Sequence, residues 1–141
     1  MPFWISKTNS GGSKIKPVIT DQLYTYDDPA VMMHEIVPLD DLLKNDRYDI
    51  IVLDIEGSEY PALLGMQRLL TQASVLIMEF IPHHLKNVSA VSVDELLSTI
   101  PGFAYLTVPT RGVRVSKDHF SGLLNDMYAR GHCDEGIIFE R

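Results

Sequence analysis

Cysteine is almost absent from this sequence, since Cys133 is the single thiol among 141 residues. One thiol excludes an internal disulfide and a zinc site built on thiolates, and it favours a reducing, cytoplasmic setting. The chain also lacks any apolar run of membrane-spanning length, and residues 1–6 have neither the basic nor the continuous apolar part of a signal peptide. We therefore expect no contact with a membrane.

Positive charge is scarce as well. The 12 Lys and Arg residues stand against 19 Asp and Glu residues, which gives a formal net charge of -7. Because nucleic acids are bound through clustered Lys and Arg, this balance excludes a nucleic-acid partner. With 45% hydrophobic residues the chain is able to bury one core, so we expect a single domain over 1–141.

Regular structure is predicted mainly after the first quarter of the chain. Residues 1–35 are expected to form an irregular, loop-rich lead-in, whereas residues 36–141 alternate apolar runs with helical periodicity, as βα units do. The apolar runs that predict strands are Ile50–Ile55, Val75–Ile81, Phe103–Val108 and Ile137–Phe139. This pattern indicates an α/β fold with four to five mostly parallel strands and helices on both faces of the sheet.

Three helices are predicted from apolar spacing and from end signals. The first covers roughly residues 59–72. The second begins with a capping box at Ser92 and Glu95. The third carries apolar residues between Phe120 and Tyr128, and Gly131 suits a left-handed position just past its end.

Three carboxylates, Asp54, Glu56 and Glu59, follow the first predicted strand. Ligands of open α/β sheets bind beyond the carboxyl ends of the strands, and strand periodicity places Asp54 and Glu56 on one side. Like-charged carboxylates that share a partly buried site raise each other's pKa, which is one way to make a general base. Asp54 and Glu56 are therefore the candidate catalytic residues. In the alternative, Asp54 caps the turn, Glu56 is solvated and Glu59 only complements the helix dipole.

Glu79, His83 and His84 lie around the end of the second predicted strand. Together with Glu59 they are the candidate substrate-binding residues. No metal site is expected, because adjacent histidines seldom ligate one ion together. The basic stretch 111–117 is expected to be a solvated loop, with a docking site for a phosphate or carboxylate as the alternative.

The acidic turn and its flanks resemble the signature block of FkbM-type methyltransferases. The D-x-E-G-x-E pattern, followed by an L-x-G spacing, is more specific than a bare D-x-E. The segments that carry the resemblance are Tyr48–Tyr60 with Leu64-Gly65, Val37–Leu43, Asn9–Ser13 and Val75–Phe80. Beyond His84 the likeness is only general.

This resemblance implies a Rossmann-like methyltransferase sheet in which the strand before Asp54 is the fourth of seven. It implies S-adenosylmethionine as methyl donor and a small-molecule acceptor, typically a hydroxyl oxygen of a sugar or secondary metabolite. Asp54, with Glu56, would accept the proton of the acceptor while the methyl group is delivered in line. The chain is thus expected to belong to a methyltransferase enzyme.

Two parts of the family pattern are missing from the sequence: a strand that ends in a Gly-rich turn, and a second strand that ends in an acid for the ribose. Gly11-Gly12 is the only glycine pair, but no apolar strand leads into it, so it is assigned to a surface turn. No cofactor-binding residue is assigned. We expect an N-terminally truncated domain that supplies the acceptor side of the site and is inactive alone.

Two other functions stay open. One is a non-catalytic remnant or interaction module whose incomplete sheet edge is covered by a second copy or by a partner chain. The other is a phosphoacceptor receiver, because Asp54 ends an apolar strand. A receiver needs a further carboxylate pair at the end of its first strand, and Asp40-Asp41 lie too close to Asp54 in sequence to provide it.

Overall fold

The computed structural model describes residues 1–141 and contains two β-sheets. The strands are β1 (Pro2–Ile5), β2 (Lys14–Ile15), β3 (Ala30–Met33), β4 (Ile50–Leu53), β5 (Val75–Phe80), β6 (Tyr105–Val108), β7 (Val113–Ser116) and β8 (Asp134–Glu140). The larger sheet has five strands in the order β4-β5-β8-β6-β7. Of its four neighbouring pairs only β4–β5 is parallel, and the other three pairs are antiparallel.

The fold is mixed α/β, as predicted, but the prediction of a mostly parallel sheet is wrong. β8 lies between β5 and β6 and is antiparallel to both. A strand that is covered on both faces carries a continuous apolar run whichever way its neighbours point, so the runs report burial and leave strand direction open. β7 lies in the stretch 111–117, where a loop is predicted, and forms a hairpin with β6.

Most of the helices are short. They are α1 (Gln22–Thr25), α2 (Leu39–Leu42), α3 (Glu59–Leu64), α4 (Gln67–Gln72), α5 (Pro82–His84), α6 (Val93–Ser98) and α7 (Phe120–Arg130), and a π-helical turn, Leu85–Ser89, continues α5. The predicted capping box of Ser92 and Glu95 forms, and Gly131 is left-handed after α7. None of the helices has the length and apolar character needed to cross a membrane.

Residues 1–35, predicted to be loop-rich, build the smaller sheet. Its central strand β1 pairs antiparallel with β2 and with β3. Sequence patterns do not detect these strands. β2 has only two residues, and all four side chains of β3 are exposed, so there is no alternation of buried and exposed positions. Gly11 and Gly12 belong to a single 3-10 turn, which is the surface turn expected for them.

The hydrophobic core lies against the five-stranded sheet. Twenty buried apolar residues form one cluster, to which both the strands and the helices contribute. In β5 the buried positions alternate, and Leu76, Met78 and Phe80 are almost completely inaccessible to solvent. Leu124 and Met127 of α7 join the same cluster. The core thus fixes β5, and through it β4 and the turn that follows β4.

The segment 59–72, predicted as one helix, is two helices. The break falls at Gly65, where an added Cβ would lie 3.3 Å from the Cα of Pro38. Asp40 of α2 caps the start of α4, because its carboxylate accepts hydrogen bonds from the backbone N–H groups of Arg68 (2.7 Å) and Leu69 (3.1 Å). A cap that comes from another helix leaves no signal in the sequence around the break.

The turn Asp54–Ser58 joins β4 to α3 and packs against the π-helical turn. Glu56 and Gly57 both have positive φ angles, 57° and 91°. At Gly57 an added Cβ would lie 2.8 Å from Cγ2 of Val88, closer than any side chain can approach. The hydroxyl of Ser89 donates a hydrogen bond to the Gly57 carbonyl (2.9 Å). Both its conformation and its surroundings therefore require glycine at this position.

β4 is an edge strand, since β5 is its only neighbour. Ile50 and Val52 are apolar but are 58% and 64% exposed. The strand carries neither the charged side chains nor the proline that commonly protect an edge from pairing with another chain. The outer side of β4 is therefore open to a further strand.

The close contact of Gly57 with Val88 predicts a measurable loss of stability in Gly57→Ala. The new Cβ adds a clash to the unfavourable positive φ, and together these should reduce the free energy of unfolding by about 3 kcal/mol. Urea unfolding followed by circular dichroism measures the loss.

Gly112→Ala is the matched control, because Gly112 has a φ of 60° and no atom within 4 Å of an added Cβ. It should lose only the backbone part, about 1 kcal/mol. Equal losses in the two variants would show that the Val88 contact does not constrain the turn.

Candidate active site

A cleft of about 910 Å³ opens between the two sheets at the carboxyl end of β4. Phe3 and Ile15 of the smaller sheet form one side, and the turn after β4 forms the other. The segment 34–39 and residues Pro61, Ala62 and Leu64 of α3 complete the wall. Ligand sites of proteins are commonly clefts of about 300–1,000 Å³ with a mostly apolar lining and a few polar groups, and this cleft has that character.

Asp54 and Glu56 both line the cleft. Asp54 follows β4 directly, is exposed, and takes part in no hydrogen bond or ion pair. The side chain of Glu56 is 31% exposed and is held in an ion pair. The structure thus brings the two acids that the sequence assigns to catalysis onto one wall, with one carboxylate free and the other fixed.

Lys14 of β2 is the residue that fixes Glu56. Its Nζ lies 3.1 Å from Oε2 of Glu56, although the Lys14 side chain is only 10% exposed. The same ammonium group lies 5.1 Å from the centre of the Tyr24 ring, within the range of a cation–π interaction. A buried ammonium group is costly unless it is paired, so Lys14 and Glu56 depend on each other.

Glu59 lies behind the turn and does not line the cleft. It is the first residue of α3, and its Oε1 accepts hydrogen bonds from the backbone N–H groups of Ile55 (3.2 Å) and Gly57 (3.3 Å). Burial raises the pKa of Glu59, and these backbone hydrogen bonds partly oppose that rise. These hydrogen bonds stabilise the turn from behind, and Glu59 itself does not face the cleft.

Glu79 and His84 form a buried pair behind Glu56. Nδ1 of His84 lies 3.4 Å from Oε2 of Glu79, and the two side chains are 8% and 12% exposed. Neither of these atoms has a hydrogen-bond partner of good geometry. Nε2 of the same ring lies 3.8 Å from Oε2 of Glu56. Both residues, predicted to bind substrate, are therefore separated from the cleft by Glu56.

His83 and Tyr24 cover the other side of this pair. The Tyr24 hydroxyl donates to the carbonyl of His83 (3.0 Å), and the Tyr24 ring lies 5.9 Å from the ring of His84. Burial raises the pKa of Tyr24 to about 12 and lowers the pKa of His83, so both side chains are neutral at neutral pH. His83 does not line the cleft, and no three His, Cys, Asp or Glu side chains are arranged to hold a metal ion.

A second cavity of about 180 Å³ meets the cleft at Glu56, which lines both. It is more polar than the cleft, and its wall combines aromatic rings with hydrogen-bonding groups. The side chains that define it are Trp4, Tyr24, Tyr26, Asn9, Lys14 and Asp27. Trp4 lines this cavity, and its Nε1 is buried and has no hydrogen-bond partner.

Lys14, Trp4 and Tyr24 are the site residues that sequence reasoning misses. All three lie in the lead-in that is predicted to be irregular. The ion pair of Lys14 with Glu56 spans 42 residues, and no local pattern marks such a contact. The signal that was available is composition, because a solvated polar loop has no need of a tryptophan and a tyrosine.

The raised pKa of Glu59 predicts a pH dependence of stability. The folded state binds the Glu59 proton more tightly than the unfolded state, so the free energy of unfolding should fall as pH rises from the ordinary value of 4.5 through the raised folded value. Glu59→Gln keeps an acceptor oxygen for Ile55 and Gly57 but has no charge to bury. The variant should therefore lose this fall, as measured by urea unfolding between about pH 4 and 7.

Glu95→Gln is the control of opposite sign. The backbone N–H of Ser92 lowers the pKa of Glu95, so this residue contributes stability that is lost as pH falls through the lowered value. A stability difference between Glu59→Gln and the unchanged protein that stays constant with pH would contradict the assignment of a buried charge at Glu59.

The sequence profile of the Methyltransferase FkbM domain matches residues 7–107. Searches of curated proteins and of solved structures return no match. The matched range contains β4, the acidic turn and β5, and it also contains Lys14 and Tyr24 of the lead-in. Since it covers more than half of the 141 residues, the chain belongs to the FkbM methyltransferase domain family.

Proposed function

We propose that this protein takes part in the transfer of a methyl group from S-adenosylmethionine to a hydroxyl oxygen of a small molecule, such as a sugar or a secondary metabolite. Residues 1–141 would form the side of the active site that binds the methyl acceptor. One observation carries the proposal: Asp54 is a free carboxylate at the carboxyl end of β4, on the wall of a cleft large enough for a ligand.

The chemistry needs a group that removes a proton. A hydroxyl oxygen becomes a better nucleophile as it loses its proton, and a carboxylate within hydrogen-bond reach acts as general base. Asp54 has no internal partner to compete for this role. Glu56, on the same wall, is paired with Lys14 through one carboxylate oxygen, Oε2.

The lining of the cleft fits part of the cofactor. S-adenosylmethionine would supply a methyl group bound to a positively charged sulfur. Asp54 and Glu56 place negative charge on the wall that such a group would face. A strand with a Gly-rich turn that would hold the nucleotide is not present among these residues, so the fit extends to the methyl-transfer side alone.

The small polar cavity is the proposed position of the acceptor. Its volume of about 180 Å³ suits one polar end of a hydroxylated molecule whose reacting hydroxyl lies at Asp54 in the cleft. Among the residues that line it, Trp4 has an unpaired Nε1–H and Lys14 has an ammonium group, and both groups are hydrogen-bond donors. A hydroxyl or carbonyl oxygen is the matching acceptor, and Glu56 lies between this cavity and the cleft.

We also propose that the outer edge of β4 is covered by another strand of a Rossmann-like sheet, from a second copy of the chain or from a partner. The support is that β4 has β5 as its only neighbour and that no charged residue or proline in β4 protects its free edge. The same edge favours the alternative of an interaction module without catalytic activity.

Binding of S-adenosylmethionine separates the two functions. Calorimetry on the 141-residue chain, and on the chain extended by the coding sequence upstream of it, should show binding in the extended form. No binding in either form would leave the interaction module as the function.

Asp54→Asn should lower the turnover of the binding-competent form by about a hundredfold, because the amide does not accept the proton. Labelled S-adenosylmethionine and a panel of hydroxylated acceptors provide the measurement. Asp49→Asn, an exposed acid at the opposite end of β4, is the matched control and should keep full turnover. Normal turnover in Asp54→Asn would remove this residue from the mechanism.

Val52→Lys should abolish any association through the β4 edge, because a charged side chain on an edge strand opposes pairing with another strand. Sedimentation velocity over a range of concentrations measures the effect. Leu42→Lys, at an equally exposed apolar residue away from this edge, should leave association unchanged. A protein that is monomeric at every concentration before substitution would show that copies of this chain do not cover the edge.

A further inference from the structure

Four ionisable side chains, alternately acidic and basic, lie in a row behind the cleft. In order they are Glu79, His84, Glu56 and Lys14, and the distances between facing atoms are 3.4, 3.8 and 3.1 Å. Glu56 is the one member that lines both cavities. A group bound in either cavity is therefore able to contact Glu56, behind which His84 and Glu79 form the buried end of the row.

The contact of Glu79 with His84 determines which ring nitrogen holds the proton. A neutral imidazole has one N–H group and one bare nitrogen. Oε2 of Glu79 lies 3.4 Å from Nδ1 of His84, and both atoms are buried without another partner. Two bare acceptors facing each other in a buried site would be strongly unfavourable. Nδ1 therefore carries the proton. Nε2 is left bare, because Oε2 of Glu56, 3.8 Å away, already accepts from Nζ of Lys14.

We propose that Glu56, His84 and Glu79 form a proton relay, in which His84 acts as a positioning residue behind Glu56. The proposal rests on the proposed function, because a substrate hydroxyl supplies the proton. Asp54 takes that proton first and passes it along the shared wall to the Glu56 carboxylate, so that the O–H bond at Asp54 breaks as one forms at Glu56. The new O–H bond then breaks as an N–H bond forms at Nε2 of His84. Glu56 is a carboxylate again, and Glu79 faces the resulting imidazolium through Nδ1–H.

Lys14 positions Glu56 within the relay. Its Nζ lies 3.1 Å from Oε2 of Glu56, the same oxygen that faces His84. The 3.8 Å between Oε2 and Nε2 exceeds a hydrogen-bond length of about 2.7–3.2 Å, so the transfer requires a small swing of Glu56. Glu56 has the most exposed side chain of the four, which leaves it free to make that movement.

The Tyr24 ring covers one side of the row, next to His84 and Lys14. It lies 5.9 Å from the ring of His84 and 5.1 Å from Nζ of Lys14. Its hydroxyl points to the backbone of His83, to whose carbonyl it donates, and so does not compete for Glu56. At the buried end of the row, around His84 and Glu79, charges interact more strongly than they would in water.

The tautomer of His84 tests the relay. Long-range 1H–15N NMR spectra of the full chain distinguish Nδ1–H from Nε2–H, and the signal of His84 among five histidines is identified by its loss in His84→Gln. The spectra are recorded at about pH 8.5, two units above the ordinary histidine pKa of about 6.5. We expect the Nδ1–H tautomer, and an Nε2–H tautomer would overturn the relay.

Two substitutions of Glu79 sharpen this measurement. Glu79→Leu removes the acceptor of Nδ1–H and should switch the ring to Nε2–H, which then donates to Glu56. Glu79→Gln keeps an acceptor oxygen and should preserve Nδ1–H. A ring that keeps Nδ1–H in Glu79→Leu would contradict the pairing, and the tautomer of the unchanged protein decides the question if Glu79→Leu does not fold.

Turnover of the form that binds S-adenosylmethionine provides the second readout. His84→Gln should lower kcat about tenfold without changing the Kd for S-adenosylmethionine, and it should have no further effect in Glu56→Gln. His119→Gln, an exposed histidine, is the control and should keep kcat. Additive losses would show that His84 does not act through Glu56. Absence of cofactor binding would refute the proposed function alone, because the tautomer is read without cofactor.

Discussion

The ion pair between Lys14 and Glu56 joins the two sheets at the acidic turn. Lys14 belongs to the smaller sheet, and Glu56 belongs to the turn that leaves the larger one. Next to this pair, the backbone N–H of Ile15 donates to the hydroxyl of Ser58 at 3.5 Å. The cleft and the small cavity exist because these contacts hold the smaller sheet over the turn. Without a partner, either charge would have to move towards water.

The backbone of the turn is adapted to this pairing. Glu56 has a left-handed φ, which directs its carboxylate towards Lys14 and away from the strand axis. Gly57 continues the left-handed path and allows the turn to approach Val88 closely. Glu59 then accepts hydrogen bonds from the N–H groups that such a turn leaves unpaired. Glu56, Gly57 and Glu59 thus contribute conformation, space and hydrogen-bond acceptors to one loop.

Features that depend on neighbours in sequence were predictable. The capping box at Ser92, the amphipathic α7 and the left-handed Gly131 each depend on a few adjacent residues, and all three form. The position of the acidic turn after a buried strand was predictable for the same reason. The direction of β8, the break before α4 and the smaller sheet were not, because each depends on a contact between distant segments.

The candidate site divides in the same way. The sequence identifies Asp54, Glu56 and Glu59 as one cluster, but the chain turns so sharply that Asp54 is exposed to the cleft while Glu59 is buried behind the turn. Glu79 and His84 come from the next strand and helix, and they reach Glu56 from behind. Spacing along the chain shows which residues are near each other. It does not show which of them face the same space.

The left-handed conformation of Glu56 lowers the stability of the fold at a residue that the proposed reaction needs. A side chain at positive φ costs about 1 kcal/mol relative to glycine, and this backbone strain is retained at a residue whose carboxylate lines both cavities. Directed evolution for heat resistance would find glycine at this position attractive, because the strain would be relieved. A library selected only for survival at high temperature would therefore be enriched in proteins that fold well and have lost the centre of their site.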